Sequence, residues 1–349
     1  MTTNGGFRVG VVGTGWVARN RHIPCLRSIP GVEVAGVFDR RIDRARDAAR
    51  QFGIDVVAED AAELFDAGLD AVVVATPPWT HAGYARSALA AGLHVFCEKP
   101  MALDATEAAS MAEAATSGGR ILTVSHNFGF SRATRLAREW LGPAPDLLIA
   151  TAVQLSSERR RLPDWYRDLR GGLLFDEVPH LLYTLRQWCG PLEITSARAT
   201  RQADGHPGVV EVELSGAVPA RAVLVFGAPV SEWHVTLVGR RRVADLDLFR
   251  DIAVRVGPDG PHPAADIART SARAMLDHGI GFAGSGIRML GGRLYWGHDR
   301  LIAAFVDACR GNRDNPVPLD EALDVVAMTD RLLALIGAHE PVGGGPAVA

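Results

Sequence analysis

Two sets of residues carry chemistry by type and spacing. The first is Glu98-Lys99-Pro100, which follows the apolar run His94 to Cys97. A lysine partly withdrawn from water has a lowered pKa and can donate a hydrogen bond to a carbonyl or an alkoxide. Pro100 holds Lys99 out of a helical conformation. The second set is Asp176 and His180, four apart and so on one face of a helix. A histidine titrating near neutrality can take a hydroxyl proton as hydride leaves the same carbon. The neighbouring carboxylate can orient that imidazole or stabilise its charged form. Residues of these types could together serve hydride exchange at a carbon bearing a hydroxyl.

A hydride needs an acceptor, and the N-terminus predicts a site for one. An apolar run, Phe7 to Val12, leads into Gly13-Thr14-Gly15-Trp16-Val17-Ala18 and then a helical stretch, Trp16 to Leu26. A second strand, Val32 to Phe38, ends on Asp39. This is the strand, glycine turn, helix, strand and acidic residue of a dinucleotide site. Gly13 permits the tight turn, Gly15 lets a pyrophosphate approach the backbone, and Ala18 lets helix and strand pack closely. The helix N-terminus offers N–H groups and partial positive charge. Asp39 suits ribose hydroxyls and would repel a 2′-phosphate, which favours NAD. Arg40 and Arg41 follow at once and could pair with that phosphate, which keeps NADP as the alternative. Thr76-Pro77-Pro78-Trp79-Thr80-His81 follows another strand and forms a rigid turn able to line the cofactor, with Thr76, Pro77, His81, Glu98 and Lys99 as contacts.

The elements that must position these residues fall into two patterns. Over residues 1–125 strands (8–12, 32–38, 54–57, 71–75, 94–97, 121–125) alternate with helices (43–52, 61–67, 81–91, 105–117). That alternation predicts βαβ units and a doubly wound parallel sheet, an NAD(P)-binding Rossmann domain. Over 126–349 strands dominate (147–155, 194–201, 209–214, 222–226, 234–238, 243–248), with one early helix at 181–188 and two late ones at 299–310 and 319–336. This predicts an α+β domain with a large, mainly antiparallel open sheet, paired as a meander, for substrate binding and oligomerisation. Substrate is expected in the crevice between the two domains, beyond the carboxyl ends of the parallel strands.

Composition narrows the class. The 349 residues are 48% apolar and 22% charged, with a net charge of -3, so neither nucleic acid nor an acidic membrane is expected as a partner. Four dispersed cysteines (Cys25, Cys97, Cys189, Cys309) speak against a zinc site and a disulfide framework and suit a reducing compartment. Met1 to Gly6 lacks the features of a signal peptide, and no apolar run approaches the ~20 residues of a membrane helix. A cytoplasmic protein is expected.

Taken together, Val12-Gly13-Thr14-Gly15, Phe38-Asp39-Arg40, Ala75-Thr76-Pro77-Pro78 with His81, Ala91-Gly92 before Glu98-Lys99-Pro100, and Gly171-Gly172 with Asp176 and His180 resemble the glucose–fructose oxidoreductase / inositol dehydrogenase / rhizopine-catabolism (Gfo/Idh/MocA) family over nearly the whole chain. The resemblance implies NAD(P)-linked oxidation or reduction of a secondary alcohol on a sugar, amino sugar or cyclitol, in a homodimer or homotetramer. It also implies that Lys99, Asp176 and His180 form the catalytic set. Asn127, Trp165 and Arg167 match positions on the family's substrate side, and Tyr183 stands where an aspartate is common. The departures are Gly129 and Arg132 after Asn127, Arg170 before the glycine pair, Val178 and Pro179 before the histidine, and Tyr183 after it. Pro179 is expected within the first helical turn, which would leave Asp176 before the helix. Alternative readings are an enzyme that retains NAD and cleaves or eliminates by transient oxidation, and a non-catalytic NAD(P)-binding regulator.

Overall fold

The structure is a computed structural model, and it describes residues 6–159, 162, 164–258, 263–292 and 295–338. The glycine- and proline-rich stretches at 341–349 and, for the most part, at 257–261 lie outside the described residues. Two compact units are present: Met1–His126 with His298–Ala327, and Asn127–Gly297 with Met328–Ala349.

In the first unit β1 (Phe7–Val12) leads through a π-helical turn (Ala18–His22) into α1 (Ile23–Arg27). There follow β2 (Val32–Phe38), α2 (Ile42–Phe52), β3 (Val56–Val57), α3 (Ala61–Phe65), β4 (Ala71–Val74), α4 (His81–Ala90), β5 (His94–Cys97), α5 (Ala105–Ser117) and β6 (Leu122–Val124). The six strands are all parallel, in the order β3-β2-β1-β4-β5-β6. Every residue of β4 is buried, as expected of a strand covered on both faces. Because β1, β4 and β5 are neighbours and parallel, their carboxyl-end turns share one edge. Those turns are Gly13–Gly15, Thr76–Thr80 and Glu98–Pro100.

The second unit holds α6 (Arg132–Leu141), β7 (Leu147–Ser156), α7 (Leu173–Cys189), β8 (Leu192–Arg201), β9 (Pro207–Gly216), β10 (Ala220–Phe226), β11 (Glu232–Gly239), β12 (Val243–Asp247), β13 (Ile252–Val256) and α8 (Ala264–Leu290). After it, α9 (His298–Cys309) belongs to the first unit, and α10 (Leu319–Leu335) is the last helix among the described residues. The seven strands run β13-β12-β11-β7-β10-β9-β8. The predicted meander therefore fails at one place: β7 inserts between β11 and β10 and pairs with β10 in parallel. Buried and half-exposed residues alternate along β10 and β11, so one sheet face forms the core under α7 and the other stays more open.

α7 begins earlier than its sequence suggests. Gly171 and Gly172 take positive φ values of 68° and 61°. A Cβ at Gly172 would stand 2.6 Å from Nδ1 of His206, so the helix start needs glycine there. With the helix opening at Leu173, Asp176 lies in its first turn and Pro179 inside it. This corrects the expected first-turn proline. Pro179 removes one backbone hydrogen bond, but most of α7 is buried, and that apolar contact outweighs one lost bond. Among the described residues no helix is long and apolar enough to cross a membrane.

Candidate active site

The glycine turn after β1 is shaped by what surrounds it. Gly13 has φ +88°, and a Cβ there would come within 2.7 Å of the Ala75 carbonyl oxygen. Gly15 differs: a Cβ would meet no atom within 4 Å. One glycine is demanded by the protein's own packing, and the other leaves open space beside the backbone at the start of a helix. That cradle fits a dinucleotide pyrophosphate. Ala18 is fully buried, as close helix–strand packing requires. Trp16 is half exposed, with the Arg21 guanidinium 4.7 Å from its ring centroid, and Val17 is partly buried beside it.

Asp39 organises the same turn. Its Oδ2 accepts from Thr14 N at 2.8 Å and Thr14 Oγ1 at 3.0 Å, and its Oδ1 accepts from Arg41 N at 2.9 Å. The Arg41 guanidinium is directed to Asp43, 3.1 Å away, whereas Arg40 is exposed beyond the strand end. Of the two arginines, Arg40 remains for a 2′-phosphate.

His81 works differently from a ligand contact. It is fully buried, with Nδ1 2.7 Å from the Pro100 carbonyl and Nε2 2.8 Å from the Thr76 carbonyl. It therefore ties the turn after β4 to the turn after β5, and it bears on a cofactor only through Thr76 and the Lys99–Pro100 segment. Burial holds its pKa below the ordinary histidine value, against two carbonyls that favour the cation.

Glu98 is buried behind Lys99. Its Oε2 accepts from Lys99 N at 3.1 Å. Its Oε1 lies 2.8 Å from Nε2 of His22, close enough for an ion pair but off the line of a good hydrogen bond, and 3.9 Å from Nε2 of His298. Burial raises the carboxyl pKa, but His22, His298 and Lys99 together overcome it and hold Glu98 well below the usual carboxylate range. Lys99 itself is half-buried at the strand end. His22 and His298 were not legible as parts of the site; they are 276 residues apart and meet only through the fold.

In the second unit, His180 lies on α7. It is 9% exposed and packed between Phe128 and Trp233, with ring centroids 5.0 and 4.9 Å away. Its Nδ1 lies 2.9 Å from the Tyr183 hydroxyl. The network around that hydroxyl assigns the tautomer. Asn127 Nδ2 donates to the Trp296 carbonyl at 2.9 Å, which turns Asn127 Oδ1 toward Tyr183. The Tyr183 hydroxyl donates to that Oδ1 at 3.3 Å and accepts from Phe128 N at 3.2 Å. Its remaining lone pair accepts from His180 Nδ1–H, so a neutral His180 carries its proton on Nδ1 and presents Nε2 as a base.

Of the residues expected to touch substrate, Tyr183 has no exposed surface and Asn127 only 3%; both belong to the hydrogen-bonded chain on the Nδ1 side of His180. Asp176 is half-buried on the face of α7 that also carries His180. Glu177, its neighbour, is buried and accepts from Gln154 and Ser156 of β7, anchoring the helix to the sheet. Trp165 and Arg167 lie on a 3-10 turn, Asp164–Asp168; Trp165 is half-buried and Arg167 exposed, with Nε 3.2 Å from the Tyr166 hydroxyl. Among the described residues Glu232, His234 and Asp247 group closely enough to hold a metal ion, but the Arg250 guanidinium already bridges the two carboxylates.

Residues 7–126 match the family described as "Oxidoreductase family, NAD-binding Rossmann fold" (GFO_IDH_MocA). The uncharacterized oxidoreductase ORF334 of Rhizobium meliloti is 38% identical over 32% of this chain, and the chain spans 34% of its length. The inositol 2-dehydrogenase of Acidiphilium cryptum is 29% identical over 61% of this chain and 65% of its own. GenD2 from gentamicin A biosynthesis, solved in complex with NAD, superposes with a TM-score of 0.74 at 23% identity over 96% of each chain. At that identity the likeness is one of fold.

Proposed function

Residues 7–126 match the Gfo/Idh/MocA oxidoreductase family model, and on that premise we propose that the chain belongs to this family and is an NAD-dependent oxidoreductase of secondary alcohols and their ketones. The observation that carries the proposal is the hydrogen-bonded chain that leaves Nε2 of His180 as the basic nitrogen. The first unit is assigned to the dinucleotide. Gly13, Thr14, Gly15, Trp16 and Val17 hold its pyrophosphate, Asp39 its ribose, and Thr76 and Pro77 line the turn beside it. The nicotinamide supplies the hydride acceptor or donor.

The remaining chemistry belongs to side chains. In the oxidising direction His180 Nε2 takes the hydroxyl proton. Tyr183 and Asn127 keep the ring in place as it becomes cationic, and the Asp176 carboxylate favours that cation. Lys99 donates to the same substrate oxygen and stabilises negative charge as it develops. In the reducing direction His180 returns the proton. The substrate is a polyhydroxylated ring, namely a sugar, amino sugar or cyclitol, with Trp165 and Arg167 as further contacts. The inositol dehydrogenase relative supports this class. Dispersed, unpaired cysteines support a cytoplasmic setting.

A panel of sugars, amino sugars and cyclitols, each assayed with NAD and NADP while nicotinamide absorbance is followed, tests the proposal. Turnover with at least one polyol, faster with NAD, is expected. Absorbance that never changes, although the dinucleotide binds, would overturn it.

A further inference from the structure

Helix α8 is built inside out. Over its 27 residues the buried positions are Asp277, Gly281 and Ser285. These face β13 and the turn before it. Asp277 accepts from Arg255 N and Nε at 3.0 and 3.1 Å, and Ser285 Oγ donates to the Asp251 carbonyl at 3.3 Å. A Cβ at Gly281 would stand 2.7 Å from Ile252 Cγ2, so the helix lies close on the strand. Large apolar side chains point the other way: Met275 is 75% exposed, Phe282 72%, Ile287 71% and Leu290 87%. Leu276, Ile280 and Met289 are also at least half exposed. An ordinary surface helix does the reverse.

The outward residues form an ordered surface. Met275, Phe282 and Met289, spaced by seven, make one ridge; Leu276, Ile280 and Ile287 make another. Between them run Ala272, Gly279, Ala283 and Gly286, and nothing lies within 4 Å of a Cβ built at Gly279 or Gly286. The face is thus a groove of small residues between two apolar ridges, which a like helix can enter with one of its own ridges.

Charge and area identify the occupant. From Ala274 to Leu290 the charged residues are Asp277 and Arg288, and both turn inward, to Arg255 and to Asp251. Nearer the start, Arg269 pairs with Asp266 and Arg273 with Asp277. An uncharged face offers nothing to a partner chosen by charge and sets up no repulsion against its own copy. The open apolar area is on the order of 1,000 Å², above the largest patch of a typical monomer and comparable with the ~800 Å² each partner gives to a stable interface. We propose that this face of α8 is the interface with a second copy of the chain, the two helices packing groove to ridge about a two-fold axis.

Sedimentation velocity of the full chain, with light scattering for mass, tests this. The expected mass is at least twice the 37.3 kDa of one chain. Ile280→Glu with Phe282→Glu, both at exposed positions, should halve it while circular dichroism stays unchanged. Ala283→Cys should give a disulfide-linked dimer on mild oxidation. A monomeric wild type overturns the proposal. So does an unchanged mass for the double variant, or a mass that falls only with Val153→Glu on the open face of the sheet. Binding of the wild type, but not the variant, to anionic phospholipid vesicles without self-association would overturn it in favour of a membrane surface.

Discussion

The Tyr183 hydroxyl stands 2.9 Å from Nδ1 of His180, and its own proton goes to Asn127. A buried phenol therefore decides which imidazole nitrogen is basic. Tyr183→Phe removes the acceptor and leaves Nδ1–H and Phe128 N without their oxygen. We expect kcat to fall by about 10- to 100-fold with KM little changed, by analogy with the loss of partners that orient a catalytic histidine. The folded protein should lose about 1–3 kcal/mol from the unsatisfied donors. Steady-state kinetics alongside urea unfolding separates the two effects; a loss of stability with unchanged kcat would make Tyr183 purely structural.

The two glycines of the first turn should respond differently. Gly13→Ala forces a positive φ on alanine and drives its Cβ against the Ala75 carbonyl, so it should destabilise the apoprotein by about 1–3 kcal/mol. Gly15→Val meets no protein atom within 4 Å of its Cβ. It should leave the apoprotein's melting temperature nearly unchanged while weakening NAD binding. Thermal melts with and without NAD check both.

Glu98 makes stability depend on pH in a stated direction. Its pKa is depressed in the fold by His22, His298 and Lys99 against the effect of burial. A depressed carboxyl contributes stability that is fully present above its unfolded pKa of about 4.3 and is lost as pH falls toward the folded value. Glu98→Gln should cost about 3–5 kcal/mol at neutral pH, because it leaves buried partners uncompensated. The gap from wild type should narrow as the pH drops below about 4. Denaturant unfolding at a series of pH values reads both quantities.

Arg40 is expected to govern the choice of dinucleotide. Arg41 is engaged with Asp43, so Arg40→Ala should weaken NADP binding by about tenfold, close to 1.4 kcal/mol, and leave NAD binding nearly unchanged. Titrations of intrinsic fluorescence with each dinucleotide check the split.

The legible parts of the fold are those whose apolar residues face their own core. β2, β5 and α5 run over the residues predicted for them, because a strand buried on both faces reads as a continuous apolar run and a capped helix marks its own start. Asp104 supplies that cap, accepting from Glu107 N at 2.8 Å. α8 went unrecognised because its apolar residues turn outward and its inward face is Asp, Gly and Ser. The parallel pairing of β7 with β10 joins residues about 70 apart and leaves no local trace. In the site, types and spacing pointed to His180 and Asp176. The hydrogen bond between Tyr183 and Asn127 lay hidden, because 56 residues separate them and only the fold puts their polar atoms 3.3 Å apart.

The central claim is that Lys99 and His180 act on the bound alcohol rather than hold the dinucleotide. Single-turnover hydride transfer, followed by nicotinamide absorbance with the best alcohol from the panel, tests it most directly. Lys99→Ala and His180→Ala should each slow transfer by about 100-fold or more while NAD binds with wild-type affinity. Wild-type transfer rates in both variants would contradict the account.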